Sequence, residues 1–553
     1  MIKMNYFDYL KQLHDLELYH DLKQLASILM TICDSQSETE VPSISQKYQC
    51  LVYHGNALFH LGEYTKAEET YKRALLLRKA INNVKGKTPV PSIASNELTS
   101  DVEVKFKIYL CLMQSKQYKE AMSVLEGIST RQRTAKVNLA LADLYVRSGM
   151  DRSAITSYKE VLRECPLALE AINGLLSLGQ KGADVHALVI SSLPQGISKE
   201  WLSQWIRGHS LVTSNDYVNA VKTFRLDTND CLKDNEYMIT SIARALFLDG
   251  HYKQSLVAFQ KAHAIDPLHL THMDIYSYLL YKEKKGLELQ RLANQLMSAT
   301  VNAPEPWVAM GYLSLYTKKN VRSVYYAQKA MTIDSLNIEA LLMKATAFLE
   351  LKQINEATNH FHAAIKRAPL RFEAYVGLTE CYTGRVREAI ALAGRALKTM
   401  GPNSRTLWLY GAMIAKDPLA LAKAKPYLEK AMKLDPTHLN PVYVMADILK
   451  QEKQYDKGVE LLRGYLVNQS TSKLHLLLGD FLTVAGDQQE ALDQYNKALG
   501  IDPTNELARQ GIERVENGES GADNTFDVEM EHSVSEADFD GSDVESTWSD
   551  ELG

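Results

Sequence analysis

Six cysteines in 553 residues, none of them in a C-x-x-C pair, are too few and too scattered for a disulfide framework or a zinc knuckle. Cys33, Cys50, Cys111, Cys165, Cys231 and Cys381 read instead as buried thiols in a reducing compartment. No run of about 18 apolar residues occurs, so no membrane span is expected. The first 34 residues alternate Leu10, Leu13, Leu22, Leu25 and Leu29 with charged residues, which is amphipathic helix and not the apolar core of a signal peptide. Catalytic signatures are missing as well. The 15 histidines form no H-E-x-x-H motif, and no G-x-S-x-G is present. Gly86-Lys87-Thr88 resembles the end of a phosphate-binding loop, but Ile81 stands where that loop needs its first glycine. His360 and His362 are two apart and point to different helix faces, so they do not pair as ligands. Lysine and arginine are interleaved with Asp and Glu and form no basic stripe of the kind that binds nucleic acid. The expectation is a protein that is not an enzyme, with no catalytic, cofactor-binding or metal-binding residue and no small-molecule substrate.

What the chain does have is a beat. Pro166, Pro267, Pro369, Pro436 and Pro503 are separated by three, three, two and two periods of about 34 residues. That is the length of a tetratricopeptide repeat, a helix–turn–helix unit that stacks on its neighbours. The unit follows the beat. Counting back from Pro503 gives Ala498, Tyr495, Ala491 and Leu478-Gly479, and Pro369 gives Ala364, Phe361, Ala357 and Ala345. Pro166 has Tyr158, Ala154, Gly149, Tyr145 and Ala142, while Pro267 has Ala262, Phe259, Ser255, Gly250 and Ala243. Each type has its own reason. The small residue lets the first helix approach the second, the aromatic fills the space between helices, and proline stops the second helix. Leu51 to Ala74, Trp307 to Ala330 and Trp408 to Pro436 add further units, so about thirteen are expected, plus an N-terminal pair. Between Tyr382 and Ala389 the spacing is two residues short, which predicts a tight or distorted inter-helix turn there. The fold class is therefore all-α, a tetratricopeptide-repeat superhelix of about 13–14 helix pairs with a disordered acidic C-terminal tail.

Two segments break the pattern. Residues 82–100, with Pro89 and Pro91, read as a flexible insert. Residues 517–553 hold 12 acidic residues and no Lys or Arg, so the net charge of −5 divides into −12 there and +7 elsewhere. Such a tail cannot bury enough surface to fold alone. The resulting organisation is an N-terminal helical pair (1–47), a first repeat (48–81), the insert, repeats over 101–235, C-terminal repeats over 236–516, and the tail. Three phosphoacceptors stand out. Thr88 forms the only Ser/Thr-Pro step, and Ser535 and Ser542 are flanked by acids.

Several strings fall outside repeat-consensus positions: Gln46-Lys47-Tyr48-Gln49, Arg131-Gln132-Arg133-Thr134, Cys165-Pro166-Leu167-Ala168-Leu169, Glu305-Pro306-Trp307-Val308 and Leu478-Gly479-Asp480-Phe481-Leu482. With them, the chain from about residue 43 to 510 resembles the tetratricopeptide-repeat subunits of the anaphase-promoting complex. That resemblance implies a non-catalytic scaffold in a cell-cycle ubiquitin ligase. It further implies homodimerisation through N-terminal repeats, stacking with related repeat subunits and small accessory subunits, and residence in nucleus and cytoplasm, including the spindle.

Two sets of partner residues follow. The N-terminal pair carries Tyr6, Tyr9, Leu10, Leu13 and Leu16, more apolar surface than a polar capping repeat requires, which suits a homodimer. First helices line the inner groove of such stacks, so Tyr312, Leu349, Met413, Tyr443, Asp447, Leu476 and Asp480 are expected to face a peptide segment of another subunit. Two other readings make different demands. A chaperone-linked adaptor would use a Lys/Asn carboxylate clamp, for which Asn56 is suitably placed but lacks the paired Asn in the next unit. A glycosyltransferase arm would show an inner Asn ladder, where this chain has Tyr53, Ala140, Ser241, Ala309, Met343 and Val444.

Overall fold

A computed structural model describes residues 6–35, 44–84, 98–194, 200–227 and 232–516. Thr88, Ser535, Ser542, the middle of the insert and the acidic tail lie outside the described residues. Among those described there are 29 α-helices and no strand, in the chain order of fourteen helix–turn–helix pairs followed by a last helix, Glu506–Glu516. The helices fall into two compact units, Met1–Glu283 and Lys284–Gly553. The break lies inside the span read from sequence as C-terminal repeats.

The second helices are plainly amphipathic. Ile354–Arg367 buries Ala357, Phe361, Ala364 and Ile365, positions that share one face of a 3.6-residue period. The first helices are buried on more sides, because each lies between its own partner and its neighbours. Ile338–Glu350 buries Ala340, Leu341, Leu342, Met343, Ala345 and Ala347. In the first unit one apolar cluster runs continuously from Tyr48 to Leu246. The N-terminal pair, Tyr6–Asp15 and Tyr19–Ser35, adds a small cluster of its own: Leu10, Leu22, Ala26 and Leu29 against Cys50 and Ala57.

All five beat prolines stop a second helix in the same way. The helices end at Glu164, Ile265, Arg367, Leu434 and Ile501, each two residues before its proline. The intervening residue is forced out of the helical region, as proline requires of its predecessor, with φ between −128° and −141°. In three of them that residue is aspartate, whose carboxylate accepts the backbone N–H two residues on: Leu268 from Asp266 at 2.9 Å, Thr437 from Asp435 at 2.9 Å and Thr504 from Asp502 at 3.1 Å.

Where a second helix buries an aromatic, the ring plugs the space beside small residues of neighbouring first helices. A Cβ on Gly479 would lie 2.7 Å from the Tyr495 ring, and one on Gly511, in the following helix, also 2.7 Å. Tyr158 is held likewise against Gly174, where an added Cβ would come within 2.5 Å. None of these three glycines can gain a methyl group without moving the ring.

Of the two forms expected for the short unit's corner, tight or distorted, the tight one is absent. Its first helix, Phe372–Cys381, has 10 residues where Ile338–Glu350 has 13, and the link Tyr382–Arg385 is a residue longer than Leu351–Gln353. The missing length comes out of the helix, and the corner keeps its left-handed residue, Gly384 at φ +84°, where Lys352 serves at φ 58° in the preceding unit. The thiols also divide. Cys50, Cys111 and Cys381 are buried, and burial pushes Cys111 up to about 12 and Cys381 to about 11, whereas Cys165, at the proline stop of its helix, is exposed. The side chains of Cys33 and Cys231 lie outside the described residues.

Candidate partner-binding surfaces

The N-terminal set splits in two. Leu10 is fully buried and Leu13 packs beside it, so both belong to the internal cluster of the first pair and neither is presented to a partner. Tyr9 and Leu16 are exposed, together with Leu18, Ile28 and Ile32 of the same pair. Helix Tyr6–Asp15 begins at Tyr6, whose side chain lies outside the described residues.

Asn56 is fully engaged inside the first unit. Its Oδ1 accepts from the Tyr71 hydroxyl at 2.8 Å and from Lys107 Nζ at 2.9 Å, and its Nδ2 lies 3.1 Å from His14 Nε2. Only 6% of its surface is exposed. With its oxygen taken twice, one amide contact to His14 and almost no exposed surface, this side chain faces the interior and is not presented to a peptide carboxylate as a clamp requires.

The same bond recurs along the chain. Tyr158 donates to Asp143 at 2.8 Å and Tyr495 to Asp480 at 2.7 Å, each pair 15 residues apart like Tyr71 and Asn56. Burial holds all three phenols well above their ordinary range. Where the plug is Phe224, Phe259 or Phe361, the residue 15 earlier is His209, Arg244 or Thr346. A ring without a hydroxyl leaves no donor to satisfy. His209 instead packs edge-on against Phe224 with centroids 5.1 Å apart.

This register sorts the expected groove residues. Tyr312, Met413 and Leu476 are 2%, 8% and 9% exposed and pack between helices, so the structure corrects their assignment to an open groove face. The apolar first-helix face was too wide for sequence alone to separate core from groove. Asp480 is part of the Tyr495 bond and lies 3.9 Å from Arg514. Leu349 and Tyr443 are half-buried, and Asp447 is exposed. Around Asp447 the surrounding protein desolvates the carboxyl and raises its pKa, while Lys473 and Lys450 oppose that rise. Lys473 lies over the Tyr443 ring at 4.5 Å, and Tyr443 Oη is 3.4 Å from Thr471 Oγ1.

Other polar and aromatic groups of this unit were not expected from sequence to form a surface, where Trp408 reads only as a repeat position. Trp408 lies edge-on to His438 with its indole N–H buried and without a hydrogen-bond partner, and Arg405 covers Phe372 at 5.1 Å. Arg405 and Trp408 are three apart near the start of a first helix, as are Asn440 and Tyr443, and Lys473 and Leu476. That i, i+3 pattern recurring with the repeat is the signal that could have found them.

His360 and His362 do separate as their spacing requires. His360 stacks on Phe348 at 5.5 Å and His362 Nε2 lies 3.2 Å from Tyr382 Oη. Among the described residues no three His, Cys, Asp or Glu side chains are gathered as a metal site would need, and no helix is long and apolar enough to cross a membrane.

Proline-stopped helix pairs, aromatic plugs and left-handed corners define a tetratricopeptide-repeat protein, and tetratricopeptide-repeat family models match residues 49–81, 342–405 and 443–506. Anaphase-promoting complex subunit 7 of Homo sapiens is 38% identical over 99% of both chains, and that of Arabidopsis thaliana 30% identical over 92% of this chain and 93% of its own. A solved structure described as the crystal structure of APC/C hetero-tetramer Cut9-Hcn1 aligns over 92% of this chain and 96% of its own, with TM-score 0.56 at 15% identity, a likeness of fold alone. The chain belongs to the anaphase-promoting complex subunit 7 family.

Proposed function

We propose that this chain is a non-catalytic scaffold of the anaphase-promoting complex, the ubiquitin ligase that controls mitotic progression. It would hold other subunits in place and leave ubiquitin transfer to them. The observation that carries this reading is identity spread over 99% of both this chain and its human relative, from the N-terminal pair through the last repeats. The surfaces would divide the work. Exposed Tyr9, Leu16 and Leu18 would meet their counterparts in a second copy, giving a homodimer. Leu349, Tyr443 and Asp447 would receive a segment of another subunit in the second unit. Residence in nucleus and cytoplasm would follow that of the complex.

Affinity purification of the full chain followed by mass spectrometry is the direct test, and other repeat subunits of the complex should be recovered with it. The purified chain should neither form a ubiquitin thioester nor discharge ubiquitin from a charged conjugating enzyme. Failure to recover those subunits, or either activity in the isolated chain, overturns the proposal. Charge reversal at Asp447 tests the groove cleanly. Reversal at Asp480 does not, because it also breaks the Tyr495 bond.

A further inference from the structure

The second unit carries a surface that its own packing does not use. Its second helices begin at Gly286, Asn320 and Ile354, and at these starts stand Leu287 (76% exposed), Val321 (71%) and Ile354 (40%), with Tyr325 (55%) one turn beyond Val321. Leu287 and Val321 are 34 residues apart, one repeat, and so occupy the same place in successive units. The corners just before them are basic. Lys284, Lys318 and Lys352 hold the left-handed position at φ 55–60°, and Lys319 and Arg322 follow. The corners are neighbours in space. The Tyr316 ring fills the place a side chain on Gly286 would take, and Lys318 Nζ lies 3.8 Å from Glu350 at the end of the next unit's first helix. Lys284, Lys319, Arg322 and Lys352 have no ion-pair partner among the described residues. The result is a run of exposed aliphatic side chains edged with uncompensated cations across three successive units. Contiguous surfaces of this kind mark interaction sites.

We propose that residues 517–553 of the same chain dock on this surface. The segment is complementary in both respects. It has 12 acidic residues and no cation, and its aromatics are set directly among acids: Phe526-Asp527, Asp538-Phe539-Asp540 and Trp548-Ser549-Asp550. Aromatic side chains cover Leu287 and Val321 while the flanking carboxylates meet the corner lysines. Reach is sufficient. The segment leaves helix Glu506–Glu516 about four units from Ile354, on the order of 40 Å at the separation of packed helices. Thirty-seven residues extend to roughly 120 Å. The tether keeps the segment at an effective concentration near millimolar, so weak contacts suffice to hold it.

Zero-length carbodiimide cross-linking of the full chain, mapped by mass spectrometry, tests this. Contact under the tether should enrich tail-carboxylate adducts on Lys284, Lys318, Lys319 and Lys352 at least about fivefold over the exposed second-helix lysines Lys430 and Lys497. Leu287→Asp together with Val321→Asp, both at exposed sites that leave the fold intact, should remove the enrichment, and 0.5 M salt should weaken it. A mixture of isotopically light and heavy chains reports whether adducts form within one copy. Adducts spread evenly over all exposed lysines, or enrichment that the double variant leaves unchanged, overturns the proposal. Adducts found only between copies overturn it too, and assign the face to a second copy.

Discussion

The ion pair between Arg371 and Glu339 offers a sharp test of how the stack is held. Arg371 precedes helix Phe372–Cys381, and Glu339 lies in the first helix of the preceding unit. Both side chains are 6% exposed. The guanidinium bonds Glu339 through Nη2, and its Nε lies 3.2 Å from Glu373, so one cation serves two carboxylates across a repeat boundary. Arg371→Met keeps most of the stem and removes the charge. Two carboxylates then face each other without a counter-ion, and breaking a buried pair in this way costs about 3–5 kcal/mol. Adding Glu339→Met should restore part of that loss, because an apolar pair of similar volume carries no desolvation penalty. Contacts in a repeat stack are local, so the loss should appear first in hydrogen exchange of helices Ile338–Glu350 and Phe372–Cys381, with the first unit unchanged. If Arg371→Met exchanges within about 1 kcal/mol of the parent, or the double variant is no more stable than the single, the reasoning fails.

Three shorter predictions follow from the same geometry. Lys453 holds a left-handed corner at φ 58°, so Lys453→Gly should raise stability by about 0.5–1 kcal/mol in urea titration, and a loss would refute the assignment of strain there. Asp480→Leu removes the nearer acceptor of the Tyr495 hydroxyl and leaves only Thr483 Oγ1 at 3.3 Å, so it should cost about 1–3 kcal/mol, most of it recovered when Tyr495→Phe is added. His209 is pulled down to about 4 by burial and by Arg244; its unfolded form binds the proton first, so stability falls as pH drops from 6.5 toward 4, and His209→Phe should flatten that limb in thermal melts at stepped pH.

The repeat, its proline stops and its plug positions were legible because each rests on a local rule with a fixed spacing. Pro436 ends its helix at Leu434 whatever else surrounds it. The short unit was located by its spacing, but spacing reports a missing length and cannot say whether helix or corner loses it. The groove was only partly legible. Tyr312 and Tyr443 look alike in sequence, yet one is sealed and the other half-open, and that difference depends on neighbours in adjacent units. Asn56 drew notice for its type, while its engagement depends on His14 and Lys107, 42 and 51 residues away.

One rule joins plug and groove, and it can be tested. Asp143, Asp480 and Asn56 are consumed by the tyrosine 15 residues later. Asp447 holds the same register position, but 15 residues later stands Leu462, fully buried and without a hydroxyl. Its carboxylate is therefore left to the lysines beside it, Lys473 and Lys450. Leu462→Tyr should close the site from within by supplying the missing donor. The larger ring overpacks the contact at a cost of about 1–3 kcal/mol, and Leu462→Phe carries nearly the same bulk without the hydroxyl. Co-purification of partner subunits should fall with Leu462→Tyr and persist with Leu462→Phe, at equal yields of folded chain. Equal loss in both variants would mean that packing, and not capture of Asp447, governs the surface; no loss in either would mean that Asp447 does not hold a partner.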